Sequence, residues 1–200
     1  MSKVIVDISM SLDGYITGPN DRLNQGLGEG GEVLHHWVFG RRWSYGDELG
    51  EATGADKEVL DETFGPAGAA IVGRRMFDVV EGWGYQNPFP MPCFVLTHRV
   101  DEELLEKAPS FTFVSEGIEG ALEQARAVAG RNDVLIGGGA KVIQQYLQSG
   151  LADEMRIHLA PVLLGAGIRL FDNVGPMTFE RTRIVESPFT THLWYRVGKP

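Results

Sequence analysis

The stretch 133-DVLIGGGAKVIQQYLQS-149 decides how the chain is read. Val134–Ile136 is an apolar run that predicts a buried strand. Gly137, Gly138 and Gly139 follow at once, and then Val142, Ile143, Tyr146 and Leu147 fall on one face of a helix. A strand that runs through glycines into a helix N-terminus makes an anion site. The glycines let backbone approach a ligand, and the free N–H groups and the helix dipole favour phosphate. Two readings follow: a dinucleotide pyrophosphate seated on Gly138, Gly139 and Ala140, or a tight turn that merely needs positive φ. The spacing is not GxGxxG, so the ordinary Rossmann fingerprint is absent.

The surrounding chain has 200 residues, enough for one domain with a real core, and its 43% hydrophobic content is ordinary for a globular protein. Lys and Arg number 18 against 27 Asp and Glu, a formal charge of −9. That balance argues against nucleic acid or an anionic membrane as partner and leaves room for a local basic pocket. Cys93 is the sole cysteine, so no intramolecular disulfide forms, which suits a reducing compartment. The N-terminus MSKVIVDISM does not resemble a signal peptide, and no apolar run nears the roughly 20 residues that span a bilayer. The cytoplasm is the expected location.

Upstream, Lys3–Met10 reads as a first buried strand with Asp7 as an oddity inside it. Ser11–Gly18 reads as a loop with Asp13-Gly14 as its turn signal. Asn20–Gly54 is irregular, glycine-rich, and carries Trp37, Phe39 and Trp43, which predicts an insert (24–50) acting as a pocket wall or lid. Ala55–Phe64 is expected to be a helix with Val59, Leu60 and Phe64 inward and Asp56, Lys57, Glu58 and Asp61 mostly outward. Ala69–Val72 is a short strand, followed by Gly73, Arg74 and Arg75 and a helix over Met76–Val80. Cys93–Leu96 is a strand ending in Thr97, His98 and Arg99. Phe111–Val114 and the helix Gly117–Ala129 lead back to the opening stretch. Downstream, Leu151–Leu164, Met177–Val185 and Thr191–Val197 alternate as strands. A βα order that turns β-rich predicts an α/β fold: a mostly parallel, doubly wound sheet with antiparallel strands at its C-terminal end.

Metal and nucleophile chemistry find little support. His35 and His36 are adjacent and point apart, and there is no HxxxH, GxSxG or P-loop pattern. His158 and His192 sit on strand faces and read as structural. Four strand ends remain: Ser9–Ile16, Gly73–Met76, Thr97–Arg99 and Gly137–Ala140. Converging at one sheet edge, they suit an elongated polyanion. NADP fits best, with arginines on a 2′-phosphate and glycines on the pyrophosphate. A hydride-transfer enzyme is the function this suggests.

Four motifs carry a family resemblance across nearly the whole chain: SMSLDGYITG (9–18), VGRRMFD (72–78), VLIGGGAKVIQQYLQSGLADE (134–154) and LAPVLLGAG (159–167). The chain resembles the dihydrofolate reductase superfamily. Within it, GLADE followed by APVLLG is similar to stand-alone relatives of the reductase domain of the riboflavin-biosynthesis deaminase-reductase. The resemblance implies a dihydrofolate reductase-like three-layer fold with about eight central strands, helices on both faces, an NADPH cofactor and a homodimer. It implies Ser9 and Ile16 beside the nicotinamide; Gly73, Arg74, Arg75 and Met76 at phosphates; and Thr97, His98 and Arg99 near the adenosine. It also implies Gly137, Gly138, Gly139, Ala140, Val142 and Ile143 at the pyrophosphate, and a cis peptide at Gly137-Gly138. Tyr15, Trp37, Trp43 and Trp83 are the expected substrate wall, and Asp13 or Asp56 the expected proton donor or orienting acid. The small-molecule substrate stays open between a pterin or pyrimidine heterocycle, the ribosylaminouracil phosphate of riboflavin synthesis (with Arg41 and Arg42 as phosphate contacts) and dihydrofolate. A non-catalytic NADP-binding module is a further alternative.

Overall fold

The computed structural model of the chain describes residues 2–100 and 102–198. The first strand, β1 (Val4–Ser11), lies centrally in an eight-stranded sheet of order β5-β4-β3-β6-β1-β7-β10-β9. The other members are β3 (Ala67–Gly73), β4 (Cys93–Leu96), β5 (Phe111–Val114), β6 (Asp133–Ile136), β7 (Glu154–Ala160), β9 (Phe179–Glu186) and β10 (Thr191–Val197). Every pair from β5 through β7 is parallel, and β10 pairs antiparallel with both β7 and β9. The expected mostly parallel sheet with an antiparallel C-terminal end is thus the observed one. A second small sheet joins β2 (Tyr15–Thr17) to β8 (Ile168–Arg169), so part of the expected loop 11–18 is strand.

Helices cover both faces. On one side α5 (Gly117–Ala129) and α6 (Ala140–Gln148) bury Ile118, Leu122, Ile143, Tyr146 and Leu147 against Val4, Val6, Ile71 and Ile136. On the other, α2 (Arg74–Val79) and α4 (Glu102–Lys107) place Phe77 and Leu104 with Ile5, Val72, Val95 and Leu135. The alternation of β1 explains the split, because successive side chains leave opposite faces of a strand. The third strip of core is small: Trp37, Val59 and Trp194, where α1 (Gly54–Phe64) crosses the β7–β10 end of the second face. Among the described residues no helix is long and apolar enough to cross a membrane.

Three segments depart from expectation. The insert 24–50 contains a 3-10 turn at Gly31–His35, and fully buried Leu34 and nearly buried Trp37 pin it to the sheet. The segment α3 (Glu81–Tyr85) follows α2 directly and is wound left-handed, with φ of 49, 56, 53, 71 and 61° from Glu81 to Tyr85. Such backbone costs each non-glycine residue roughly 1–2 kcal/mol. It carries Trp83 onto Phe89 and Phe111 at centroid distances of 5.4 and 6.2 Å. A Cβ on Gly82 would stand 2.6 Å from the Phe77 ring, so this turn accepts only glycine there. The outer strand β9 is the third departure: it starts two residues later than Met177, and Glu180, Arg181, Thr182 and Arg183 along it are all exposed.

The two helices of the first face are tied by one polar contact, in which the buried Tyr146 hydroxyl donates to the Ile118 carbonyl at 2.8 Å. Tyr146→Phe leaves that buried carbonyl without its partner. We expect a loss of about 1–2 kcal/mol in urea unfolding with an unchanged m-value.

Candidate active site

All strands from β5 to β7 run the same way, so the segments after β4, β3, β6 and β1 emerge at neighbouring points of one carboxyl edge. The glycine turn is fastened to β3. Gly137 N–H donates to the Ile71 carbonyl at 2.9 Å, and Gly73 N–H donates to the Gly138 carbonyl at 2.8 Å. Gly73 lies so close that a Cβ there would sit 2.9 Å from the Val142 side chain and 3.4 Å from Gly139 N. The Met76 sulfur closes over Gly138, 3.2 Å from where its Cβ would stand. Gly139 caps α6, whose first N–H groups have no intrahelical acceptor. The cis peptide bond lies at Gly138-Gly139, one position later than the expected Gly137-Gly138.

The basic side chains stand beside this turn. Arg74 pairs with Asp78 at 2.7 Å, and its guanidinium also donates to the Arg99 carbonyl at 3.3 Å, joining the ends of β3 and β4. Arg75 grips both oxygens of Asp21 through Nε and Nη2 while most of its side chain stays exposed. The Thr97 hydroxyl donates to the Arg99 carbonyl at 2.8 Å and accepts from Arg99 N–H, shaping a turn that leaves His98 and Arg99 exposed.

The four expected wall aromatics do not form one wall. Tyr15 lies under the Arg169 guanidinium, 4.6 Å from its ring centroid. Trp43 meets Phe39 at a tilt and Tyr45 edge-on, and Trp83 belongs to the Phe77–Phe111 core. Trp37 alone reaches the expected nicotinamide position: its indole N–H donates to Ser9 Oγ at 2.9 Å, and Ile16 is buried near the end of the same β1 turn. Asp13 also differs from its expected role. Its carboxylate accepts from the Ser11 hydroxyl at 2.6 Å, Gly165 N–H at 2.7 Å and Leu164 N–H at 3.1 Å, joining two loops. The Ser11 bond, then those of Gly165 and Leu164, hold its carboxyl down at about 2, which makes it an anion rather than a proton donor.

Helical periodicity over Ala55–Phe64 predicts an outward Asp56. It is buried at 3% exposure, in the first turn of α1, one helical turn before Val59. The reason is a partner invisible in local periodicity: Asp56 Oδ1 accepts from His192 Nε2 at 2.9 Å. His192 Nδ1 lies 2.8 Å from His158 Nδ1, and His158 Nε2 donates to Asp7 Oδ1 at 3.1 Å. The register brings this about, because Ser9 stands opposite His158 and His158 opposite His192 across β1, β7 and β10. The Trp37 indole covers both imidazoles, with centroids 4.3 Å from His158 and 4.9 Å from His192. The Thr63 hydroxyl donates to Asp7 and accepts from Arg156, which in turn pairs with Glu154 at 2.7 Å. Burial raises the Asp7 carboxyl, but the His158 and Arg156 charges beside it outweigh that and hold it below its usual value. Among the described residues no group of His, Cys, Asp and Glu is arranged to hold a metal ion.

On sequence alone His158 and His192 read as structural and Asp7 as an oddity. The usable signal was the conjunction itself: a carboxylate in a central strand and two histidines on strands demand partners, and the nearest available partners were one another.

Against known proteins, the sequence pattern of the RibD C-terminal domain matches residues 2–191. The uncharacterized protein YwjB of Bacillus subtilis strain 168 is 28% identical over 126 residues, 62% of this chain and 70% of its own. A crystal structure from Shewanella sp. PV-4, assigned provisionally to riboflavin biosynthesis, shares 24% identity with a TM-score of 0.71, covering 98% of this chain and 99% of that one. Dihydrofolate reductase from Enterococcus faecalis, complexed with NADP(H), shares 16% identity with a TM-score of 0.62, covering 98% and 97%. The dihydrofolate reductase-like fold is therefore the fold of this chain.

Asp13 gives this site an acid-side signature. Its folded value of about 2 lies below the ordinary 3.8, so the loop joint is fully stabilising above pH 3.8 and is lost as pH falls through about 2. Asp13→Asn should therefore be less stable than the wild type near neutrality, and its melting temperature should fall less steeply between pH 4 and pH 2. Scanning calorimetry across that range reads both effects.

Proposed function

The chain belongs to the family of RibD C-terminal domains, and on that footing we propose that it is an NADPH-dependent reductase, an oxidoreductase acting on a small pterin- or pyrimidine-like heterocycle. The observation that supports this most is the fastened glycine turn. Gly73 and Gly138 hold two strand ends together without side chains, so the N-terminus of α6 is bare where a pyrophosphate can approach. When bound, NADPH supplies a hydride. The chain's own residues do the rest. Gly137, Gly138, Gly139, Ala140, Val142 and Ile143 form the pyrophosphate seat. Arg74 and Arg75 pair with the 2′-phosphate, Met76 lies against the turn, and Thr97, His98 and Arg99 border the adenosine.

Ser9 and Ile16 border the nicotinamide end, where Trp37 now donates to Ser9. Buried Leu34 and Trp37 pack this insert on the sheet, and the indole hydrogen bond to Ser9 makes it the wall of that end. Asp56 orients that substrate from α1. We read the chain as one domain, a cytoplasmic homodimer with a small molecule rather than nucleic acid or membrane as its partner. Light scattering in dilute buffer checks the dimer.

If Arg74 and Arg75 read the 2′-phosphate, the double change Arg74→Ala, Arg75→Ala should weaken NADPH binding by roughly tenfold, about 1.4 kcal/mol, while NADH binding stays within about twofold. Titration of tryptophan fluorescence with each nucleotide measures this. Equal losses for both would sink the assignment, and no binding of NADPH by the wild type would sink the reductase reading.

A further inference from the structure

We propose that Asp7, His158, His192 and Asp56 act as one acid, a four-membered hydrogen-bonded chain that holds three protons and gives up the third to the substrate nitrogen or oxygen during reduction. The inference deepens the reductase reading and rests on it.

Geometry sets the proton count. Both outer contacts join an imidazole Nε2 to a carboxylate, and the inner one joins Nδ1 to Nδ1 at 2.8 Å. A neutral imidazole has one N–H and one lone pair. With each Nε2–H spent on its carboxylate, two neutral rings would oppose lone pair to lone pair at hydrogen-bond distance. One more proton turns that contact into an N–H···N bond. A fourth would oppose two N–H groups. Moving a proton onto Asp56 and shifting the rest along preserves the total, so the third proton belongs to the chain as a whole.

The surrounding charges support the same count. Asp7, Asp56 and Glu154 are carboxylates, and Arg156 and Lys3 are the fixed cations of this network, with Lys3 on Glu154 at 2.9 Å. A single positive charge on the histidine pair balances them, which matters because an unbalanced buried charge is costly. His35, on the 3-10 turn, is the other titratable group facing the pair. Burial and then the His158 charge press it down to about 4, so it contributes none. Burial and then the neighbouring His158 also lower His192, whereas Asp56 opposes that shift.

The chain has a feeding end and a working end. His158 and His192 side chains are 1% and 0% exposed and Asp56 is 4%, but Asp7 is 20% exposed and meets solvent. The rings lie directly under Trp37, and Asp56 is one helical turn from Val59, which packs with Trp37. For a planar substrate to lie against the working end, the buried Trp37 indole must move off the histidine pair. In the reduction, the substrate carbon gains hydride and its electron pair while the nicotinamide reductant is oxidised. The C=N or C=O π pair closes onto the heteroatom, which bonds the proton released by the chain. The two protons left behind are restored to three from solvent through Asp7.

The first test needs neither cofactor nor substrate. In protein labelled with ¹⁵N-histidine at pH 7, His158 and His192 should show three protonated ring nitrogens among four, with one strongly deshielded shared proton that shifts in Asp7→Asn. Four protonated nitrogens, or two with the Asp56 carboxyl carrying no proton, would overturn the proposal. The second test uses single-turnover NADPH oxidation with 7,8-dihydropterin, 5-aminouracil and benzoquinone as acceptor probes. His158→Gln and His192→Gln should slow the reaction about a hundredfold, flatten its decline at rising pH, and leave NADPH affinity within twofold. An unchanged rate and pH profile would overturn it. If neither variant folds, the nitrogen count in the wild type still decides. No turnover of any probe by the wild type would overturn the reductase reading and with it the delivery step, whereas a wrong proton count refutes the acid chain alone.

Discussion

Asp7 sits midway along the central strand of the sheet, opposite Arg156 of β7 and one residue past the last pair with β6. A carboxylate there cannot be left to itself, since burying an unpaired charge costs several kcal/mol. Much of the second face follows from satisfying it. His158 is placed by the β1–β7 register, His192 by the β7–β10 register, and α1 must lie across the strands at the height where Asp56 meets His192. Thr63, two turns along the same helix, brings a hydroxyl back to Asp7. The antiparallel addition of β10 to a parallel sheet is what makes the second imidazole available at all.

The two ends of the sheet divide the work differently. The β4–β3–β6 edge presents backbone, short side chains and arginines, and its contacts are mostly main chain to main chain. The β1–β7–β10 end presents a polar chain under an aromatic cover. The first arrangement suits a long anionic molecule held by many weak contacts, and the second suits one small ring and one proton. Ser9 stands where the two meet.

Legibility in the sequence followed the range of the interactions. Local ones were clear: Cys93–Leu96, Phe111–Val114, Gly117–Ala129 and Thr191–Val197 have the bounds that periodicity predicted, and the glycine turn sits between the expected strand and helix. The parallel order followed from the βα alternation. Long-range pairings were hidden. Asp56 looks exposed on a helical wheel because only neighbours in sequence enter that reading, and its partner lies 136 residues away. Asp13 looks like an acid poised at a sheet edge until Leu164 and Gly165 arrive to bind it. The left-handed turn at Glu81–Tyr85 had a hint in its two glycines, but Glu81, Trp83 and Tyr85 gave no local reason to expect positive φ. Tertiary packing of Trp83 supplies that reason.

The outer strand β9 carries a separate consequence. An unpaired sheet edge is a template for the next chain. Here the row is Glu180, Arg181, Thr182 and Arg183, already committed in part to the fold: Arg183 stacks on Trp194 at 4.6 Å and pairs with Glu62, and Glu180 pairs with Arg196. Another strand docking along it would have to strip water from alternating charges and break these pairs. Growth of the sheet into fibrillar or edge-to-edge polymers is thus opposed on the side where its antiparallel strands would otherwise invite it.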